Sequence, residues 1–128
     1  MLLNIIRKAV LLVGRMVKID SVKFGEIDID GKTYYSDVAV WWDGRVELIS
    51  KEHRFNMDRL ALLTKKGPEI IVVGTGMQGI VRVLPEVIQT CEDGKIRLYS
   101  DPTEKAIDVF NGLFLQGKKV AGLFHITC

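Results

Sequence analysis

The 128-residue chain has two cysteines, three prolines and two histidines, and each scarcity closes off a class of protein. Cys91 and Cys128 are too few for a disulfide framework or a cysteine zinc site, so a reducing, cytoplasmic setting is expected. His125 and Cys128 lie three apart in a terminal strand pattern and so point to opposite faces, which makes them no ligand pair. No metal and no cofactor is therefore expected. The chain has no G-x-S-x-G, no H-E-x-x-H and no carboxylate pair standing out from a solvated background, so no catalytic residue is assigned. A net charge of +2, with no basic patch interleaved with aromatics in the body, gives no reason to expect nucleic acid.

What is present is ordinary globular material. Apolar residues make up 48% and charged residues 27%, which excludes a disordered or collagen-like chain. A chain of this length buries about two-thirds of its surface on folding, enough for one domain without disulfide or metal staples.

The charge is unevenly placed. Arg7, Lys8, Arg15 and Lys18 give residues 1–18 a charge of +4 with no acid, and the rest of the chain carries −2. Residues 2–17 (LLNIIRKAVLLVGRMV) are apolar but interrupted, and shorter than the roughly 20 residues of a membrane-spanning helix. At about 100° per residue, Asn4 and the four basic residues share one arc into which only Leu11 intrudes; the opposite face is entirely apolar. Such a helix suits a membrane interface or a partner's groove, and amphipathic helices also dock on their own domain. A cleaved targeting segment and a second start at Met16 are two further readings of the same stretch. Residues 1–18 are thus read as a basic amphipathic extension and residues 19–128 as the folded domain.

In the body, Asp30-Gly31 and Asp43-Gly44 sit between strand-like runs, and Asp-Gly suits a type I′ turn with φ > 0 at both positions. Two hairpins follow: residues 25–30 with 32–36, and 38–42 with 45–49. A linker over 51–56 leads to a helix over 57–66, with Asn56 as N-cap and Gly67-Pro68 as its stop. Ile70–Val73 is a continuous apolar run of the kind found in strands buried on both faces. A helix over 85–93 opens on Pro85 and closes at Gly94, and 96–100 is a strand. Asp101-Pro102-Thr103-Glu104 has the form of a capping box for a helix ending at Gly117, and 119–127 closes the chain as a strand. This order, hairpins followed by βαβαβ, predicts a single α/β domain around a mixed sheet. Trp41 and Trp42 alternate across their strand, so at most one belongs in the core. His125 reads as a half-buried, hydrogen-bonded residue, and His53 as a surface residue unless folding brings it to the glycine loop.

Gly74-Thr75-Gly76-Met77-Gln78-Gly79 has the G-x-G-x-x-G form, directly after the buried strand. Three features separate it from a dinucleotide site: Pro85 falls where the second helical turn would be, residues 80–84 read as an extended link, and too few residues follow for a complete domain. Two readings stay open: a tight strand exit, or a pocket in which Gly74, Thr75, Gly76, Gln78 and Gly79 hold a small polar or anionic group. In the second reading, a bulky residue at Gly76 is expected to abolish ligand binding while leaving the domain folded.

An ordered set of short motifs carries a resemblance. These are Ser21-Val22-Lys23-Phe24-Gly25, Asp30-Gly31-Lys32, Ser36-Asp37, Ile71-Val72-Val73-Gly74-Thr75-Gly76, Thr103…Ala106…Phe110-Asn111…Leu113, Gly117-Lys118-Lys119-Val120-Ala121 and Phe124-His125-Ile126-Thr127-Cys128. Over residues 19–128 the chain resembles the small α/β family of the adipogenesis-associated domain protein and the mitochondrial NADH dehydrogenase (complex I) assembly factor three. The terminal His-Ile-Thr-Cys is closer to the first branch. The resemblance implies a three-layer fold with a mixed central sheet, no established enzymatic activity, and roles in assembly or regulation through protein contacts. The leading expectation is an interaction or assembly protein with a protein partner, held near an anionic membrane surface by Arg7, Lys8, Arg15 and Lys18. The alternative is a small-molecule binder or enzyme using the glycine loop.

Overall fold

The computed structural model describes residues 17–128. Among these residues, three helices and ten strands follow the order β1 (Ile19–Lys23), β2 (Glu26–Ile29), β3 (Lys32–Tyr34), β4 (Asp37–Trp41), β5 (Val46–Ile49), β6 (Arg54–Phe55), α1 (Met57–Thr64), β7 (Ile70–Gly74), β8 (Arg82–Val83), α2 (Pro85–Asp93), β9 (Arg97–Asp101), α3 (Thr103–Leu115) and β10 (Val120–Phe124). The central sheet has five strands in the order β5-β4-β10-β7-β9; β10, β7 and β9 run parallel, and β4 and β5 are antiparallel to their neighbours.

The layers follow from which side chains each strand turns to each face. Val38, Val40, Ile70, Val72 and Phe124 meet Phe110 and Ile107 of α3 together with Ile19, Ile27 and Ile29 of the antiparallel β1-β2-β3 sheet. Ala39, Trp41, Ile71, Val73 and Leu123 meet Leu60 and Leu63 of α1, Val87 and Cys91 of α2, and Phe55. The fold is therefore the expected three-layer α/β domain with a mixed central sheet. The chain crosses from β7 through α2 to β9, then back over β7 through α3 to β10. Parallel crossovers are nearly always right-handed, so reversing direction across the sheet puts α2 and α3 on opposite faces.

Asp30-Gly31 forms the predicted turn, with both residues at positive φ and Ile29 opposite Lys32. Asp43-Gly44 differs. Only Gly44 has positive φ, and its N–H bonds Trp41 O while the Trp41 N–H bonds Arg45 O. The hairpin therefore closes through a three-residue loop with one left-handed glycine rather than a type I′ turn. Asn56 caps α1 as expected, its Oδ1 accepting the Arg59 N–H at 3.1 Å. At the end of α2 the left-handed residue is Lys95, not Gly94. The Asp101 capping box does not form: Pro102 is the N-cap of α3, with no side-chain hydrogen bond. Asp101 is still strand, its carbonyl accepting the Thr75 N–H and its carboxylate 3.4 Å from Lys105 Nζ.

Three strands come as additions. β1 makes the first hairpin three-stranded, and Asn111 of α3 clamps it by bonding both the N–H and the carbonyl of Ile19. The two links around the helices, 51–56 and 80–84, pair with each other as β6 and β8. Trp41 is fully buried and donates its indole N–H to Leu63 O, while Trp42 is half-buried. No helix among the described residues is long and apolar enough to cross a membrane. Arg7, Lys8 and Arg15 of the expected amphipathic helix lie outside the described residues; Lys18 is exposed.

Candidate functional site

The three parallel strands end together. Gly74 stands in register with Phe124 on one side and Asp101 on the other, and the antiparallel β4 begins beside them at Asp37. In open α/β sheets this carboxyl end is where ligands bind. Here it gathers the glycine loop, the segment His125–Cys128, Thr103 at the first position of α3, and Asp37.

Asp37 and His125 are both buried and form the centre of the network. Asp37 Oδ2 lies 2.6 Å from His125 Nδ1, and Oδ1 accepts the Ile126 N–H at 3.0 Å. The other ring nitrogen, Nε2, is 3.1 Å from Thr127 Oγ1. With a neutral ring, every group is satisfied when Nδ1–H donates to Asp37 and Nε2 accepts from the Thr127 hydroxyl. Thr103 completes the link to the loop, donating its hydroxyl to His125 O at 2.6 Å and accepting the Gly76 N–H at 2.9 Å. His53 is exposed, yet its ring meets that of His125 edge-on at 5.3 Å, so folding does bring it to this end of the sheet.

The predicted pocket residues lie here too, but the chain itself engages their backbone. Taken in order from Thr75 to Val81, the seven N–H groups bond Asp101 O, Thr103 Oγ1, Thr127 O, Cys128 O, Gly76 O, Cys128 O and Thr75 O. Gly74, Thr75 and Gly76 are buried, and only Gln78 and Gly79 of the five are exposed. The loop serves as a cradle for residues 125–128. A Cβ on Gly76 would stand 2.3 Å from the Cys128 carbonyl carbon and 2.9 Å from the His125 ring, at a φ of +108°. The expectation that a bulky residue there leaves the fold intact is corrected by this contact: the position excludes any side chain.

A second concave feature lies on the sheet edge. Between α2 and β9 a recess of about 510 Å³ is lined by the apolar Val83, Ile88, Cys91, Ile96 and Leu98 together with the polar Glu92 and Ser100. Ile88 is 43% exposed there. The Cys91 thiol is buried, and burial raises its pKa, so it behaves as an apolar wall rather than a nucleophile. β9 is the last strand of the sheet. The Arg97 N–H bonds Glu69 O and the Asp101 carbonyl accepts from Thr75, both on the inner side. Strand alternation then turns the N–H and C=O of Leu98 and Ser100 outward, where they have no partner among the described residues.

Sequence reading locates the glycine loop and His125 but misses Asp37 and Thr103 as their partners. It also misses the recess, whose only sequence signal is the pair of apolar positions Ile88 and Leu98 in elements already predicted.

Comparison with known proteins agrees with the fold. A conserved hypothetical protein, PH1505, from Pyrococcus horikoshii OT3 is 29% identical, with 87% of this chain and 99% of that one covered at a TM-score of 0.78. A protein designated MT938 is 26% identical, with 88% and 99% covered and a TM-score of 0.74. A Bordetella pertussis protein described as a Mth938-like domain shares the fold at 18% identity, 88% and 87% coverage and a TM-score of 0.63. A family model described as a protein of unknown function, DUF498/DUF598, matches residues 19–125. The chain belongs to the DUF498/DUF598 family, the small α/β family that its ordered motifs resemble.

Proposed function

We propose that this chain is a protein-interaction module that takes up an extended segment of a partner as a sixth strand on β9. The observation that carries the reading is the coincidence of an open strand edge with a recess whose apolar wall, Val83, Ile88, Cys91, Ile96 and Leu98, is flanked by Glu92 and Ser100. Leu98 and Ser100 offer outward backbone donors and acceptors, and both residues line the recess beside them. Strand addition takes its affinity from main-chain hydrogen bonds and its specificity from pockets that receive alternate side chains. The opposite edge, β5, is guarded differently: Glu47 is held there by Arg45 and Lys65, the charged device by which edges avoid pairing. The expected ligand is an extended peptide with an apolar residue at every second position and no acidic residue facing Glu92. Assembly or regulation of a larger complex, which the family resemblance implies, is one use of such a module.

The alternative, a ligand pocket at Gly74–Gly79, has less to work with. With all seven N–H groups from Thr75 to Val81 engaged by the chain, the exposed Gln78 side chain is what the loop can offer.

Selection of peptides from a random display library against the full chain tests the proposal. The selected sequences are expected to share apolar residues at alternate positions and to lose at least about tenfold in affinity on Ile88→Asp, the cost of a moderate interface anchor. Because Ile88 is already part-exposed, the variant folds. Peptides that show no such pattern, or that bind the variant unchanged, contradict the reading.

A further inference from the structure

Hydrogen bonding at the carboxyl end of the sheet runs in one line from a buried carboxylate to a half-buried hydroxyl. Asp37 Oδ2 lies 2.6 Å from His125 Nδ1, and Nε2 of the same ring lies 3.1 Å from Thr127 Oγ1. Asp37 and His125 are buried, whereas Thr127 is only half-buried. Hydroxyl, imidazole and carboxylate in this order make a nucleophile, its general base and the group that orients the base. With Nδ1–H held by Asp37, the lone pair on Nε2 is placed to take the hydroxyl proton.

The backbone around Thr127 is held through its carbonyls. Those of His125, Ile126 and Thr127 accept from the Thr103 hydroxyl, the Gly25 N–H and the Met77 N–H, at 2.6, 2.7 and 2.7 Å. The N–H groups of Thr127 and Cys128 donate no hydrogen bond among the described residues. In acyl transfer, the N–H of the nucleophile itself and that of the residue after it are recurrent donors to the oxyanion. Two exposed apolar side chains flank the segment: Phe24, 64% exposed, beside Gly25, and Ile80, 45% exposed, whose N–H reaches Cys128 O at 3.4 Å. They suit an uncharged acyl chain.

We propose that Thr127 is an acyl-accepting nucleophile and that this chain hydrolyses small, uncharged esters at the carboxyl end of its sheet. The Thr127 oxygen attacks the ester carbonyl carbon, and its proton passes to His125 Nε2. The tetrahedral oxyanion collapses, the ester C–O bond breaks, and the proton leaves with the alcohol. Water then attacks the acyl-threonine through the same base, releasing the carboxylic acid and restoring the hydroxyl. Asp37 is a positioning residue that fixes the tautomer of the ring. This activity is separate from strand addition on β9 and does not rest on it.

Mixing the full-length protein with p-nitrophenyl butyrate tests the proposal. A stoichiometric burst of p-nitrophenolate is expected, and acid-quenched protein is expected to carry butyryl on Thr127, located by peptide mass spectrometry. Thr127→Val, of similar shape at a half-buried position, is expected to abolish the burst, and Thr127→Ser to restore it. Asp37→Asn is the sharper variant. Its amide donates to Nδ1, which puts the ring proton on Nε2 and removes the base. The folded variant is therefore expected to acylate at least about a hundredfold more slowly. Four results overturn the proposal: no burst in wild type, butyryl only on Cys128 or on lysines, a burst that survives Thr127→Val, or equal rates for wild type and Asp37→Asn.

Discussion

Gly76→Ala is expected to lower the thermal midpoint by at least about 10 °C, for two reasons that add. A φ of +108° is a conformation L-residues rarely adopt, and forcing one there costs roughly 1–3 kcal/mol. The new Cβ would also stand 2.3 Å from the Cys128 carbonyl carbon and 2.5 Å from its oxygen. That neighbour is backbone, so the segment 125–128 has to move, and movement breaks the bonds from Met77 N–H to Thr127 O and from Gln78 N–H to Cys128 O. At about 3–6 °C per kcal/mol for a domain of this size, the strain and one or two lost bonds reach the stated shift. Gly31→Ala is the control. It has a comparable positive φ but open space around its Cβ, so only the strain applies. Equal shifts for the two variants in a thermal melt contradict the cradle.

Asp37→Ala is expected to cost about 2–5 kcal/mol, since each buried donor left without a partner costs roughly 1–3 kcal/mol and two are left. The loss is large because two buried donors, the His125 ring and the Ile126 N–H, depend on the one carboxylate. Asp37→Asn is expected to cost markedly less. Its Oδ1 still serves Ile126, and its amide nitrogen can donate to His125 Nδ1 if the ring shifts its proton to Nε2 and donates to Thr127. Urea denaturation of the three proteins separates the cases. Similar midpoints for wild type and Asp37→Ala contradict the role given to the pair.

These two predictions concern the part of the molecule least legible in sequence, and the reason is physical. Elements with a local signal read correctly: the Asp30-Gly31 turn, the Asn56 cap, Pro85 at the head of α2 and the fully apolar β7 each depend on residues within a few positions. Local signals also mislead where a tertiary partner has a stronger claim. Asp101 has the capping pattern, but β9 holds its backbone against the loop and leaves Pro102 at the N-cap. Asp43-Gly44 looks like Asp30-Gly31, yet its hairpin closes one residue earlier, at Trp41, around a loop of three residues.

The candidate site shows the same divide. The glycines at 74, 76 and 79 stand out at once, and the motif suggests a bound phosphate or other anion. What fills that cradle is the chain's own segment 125–128, some 50 residues away, held by an aspartate 88 positions from its histidine. Neither distance leaves a periodicity to read. The recess at β9 is hidden for another reason: Ile88 and Leu98 look like ordinary core positions until the strand order shows that β9 is an edge.

The central claim is that β9 accepts a further strand, and amide exchange at Leu98 and Ser100 tests it most directly. In the free protein these two amides are expected to exchange quickly while those of Arg97 and Tyr99, turned toward β7, exchange slowly. With a selected peptide bound, Leu98 and Ser100 are expected to slow by at least about tenfold, since strand pairing closes both amides off from water. Protection at the Gly74–Gly79 loop instead, with Leu98 and Ser100 unchanged, would contradict the account and return the ligand to the carboxyl end of the parallel strands.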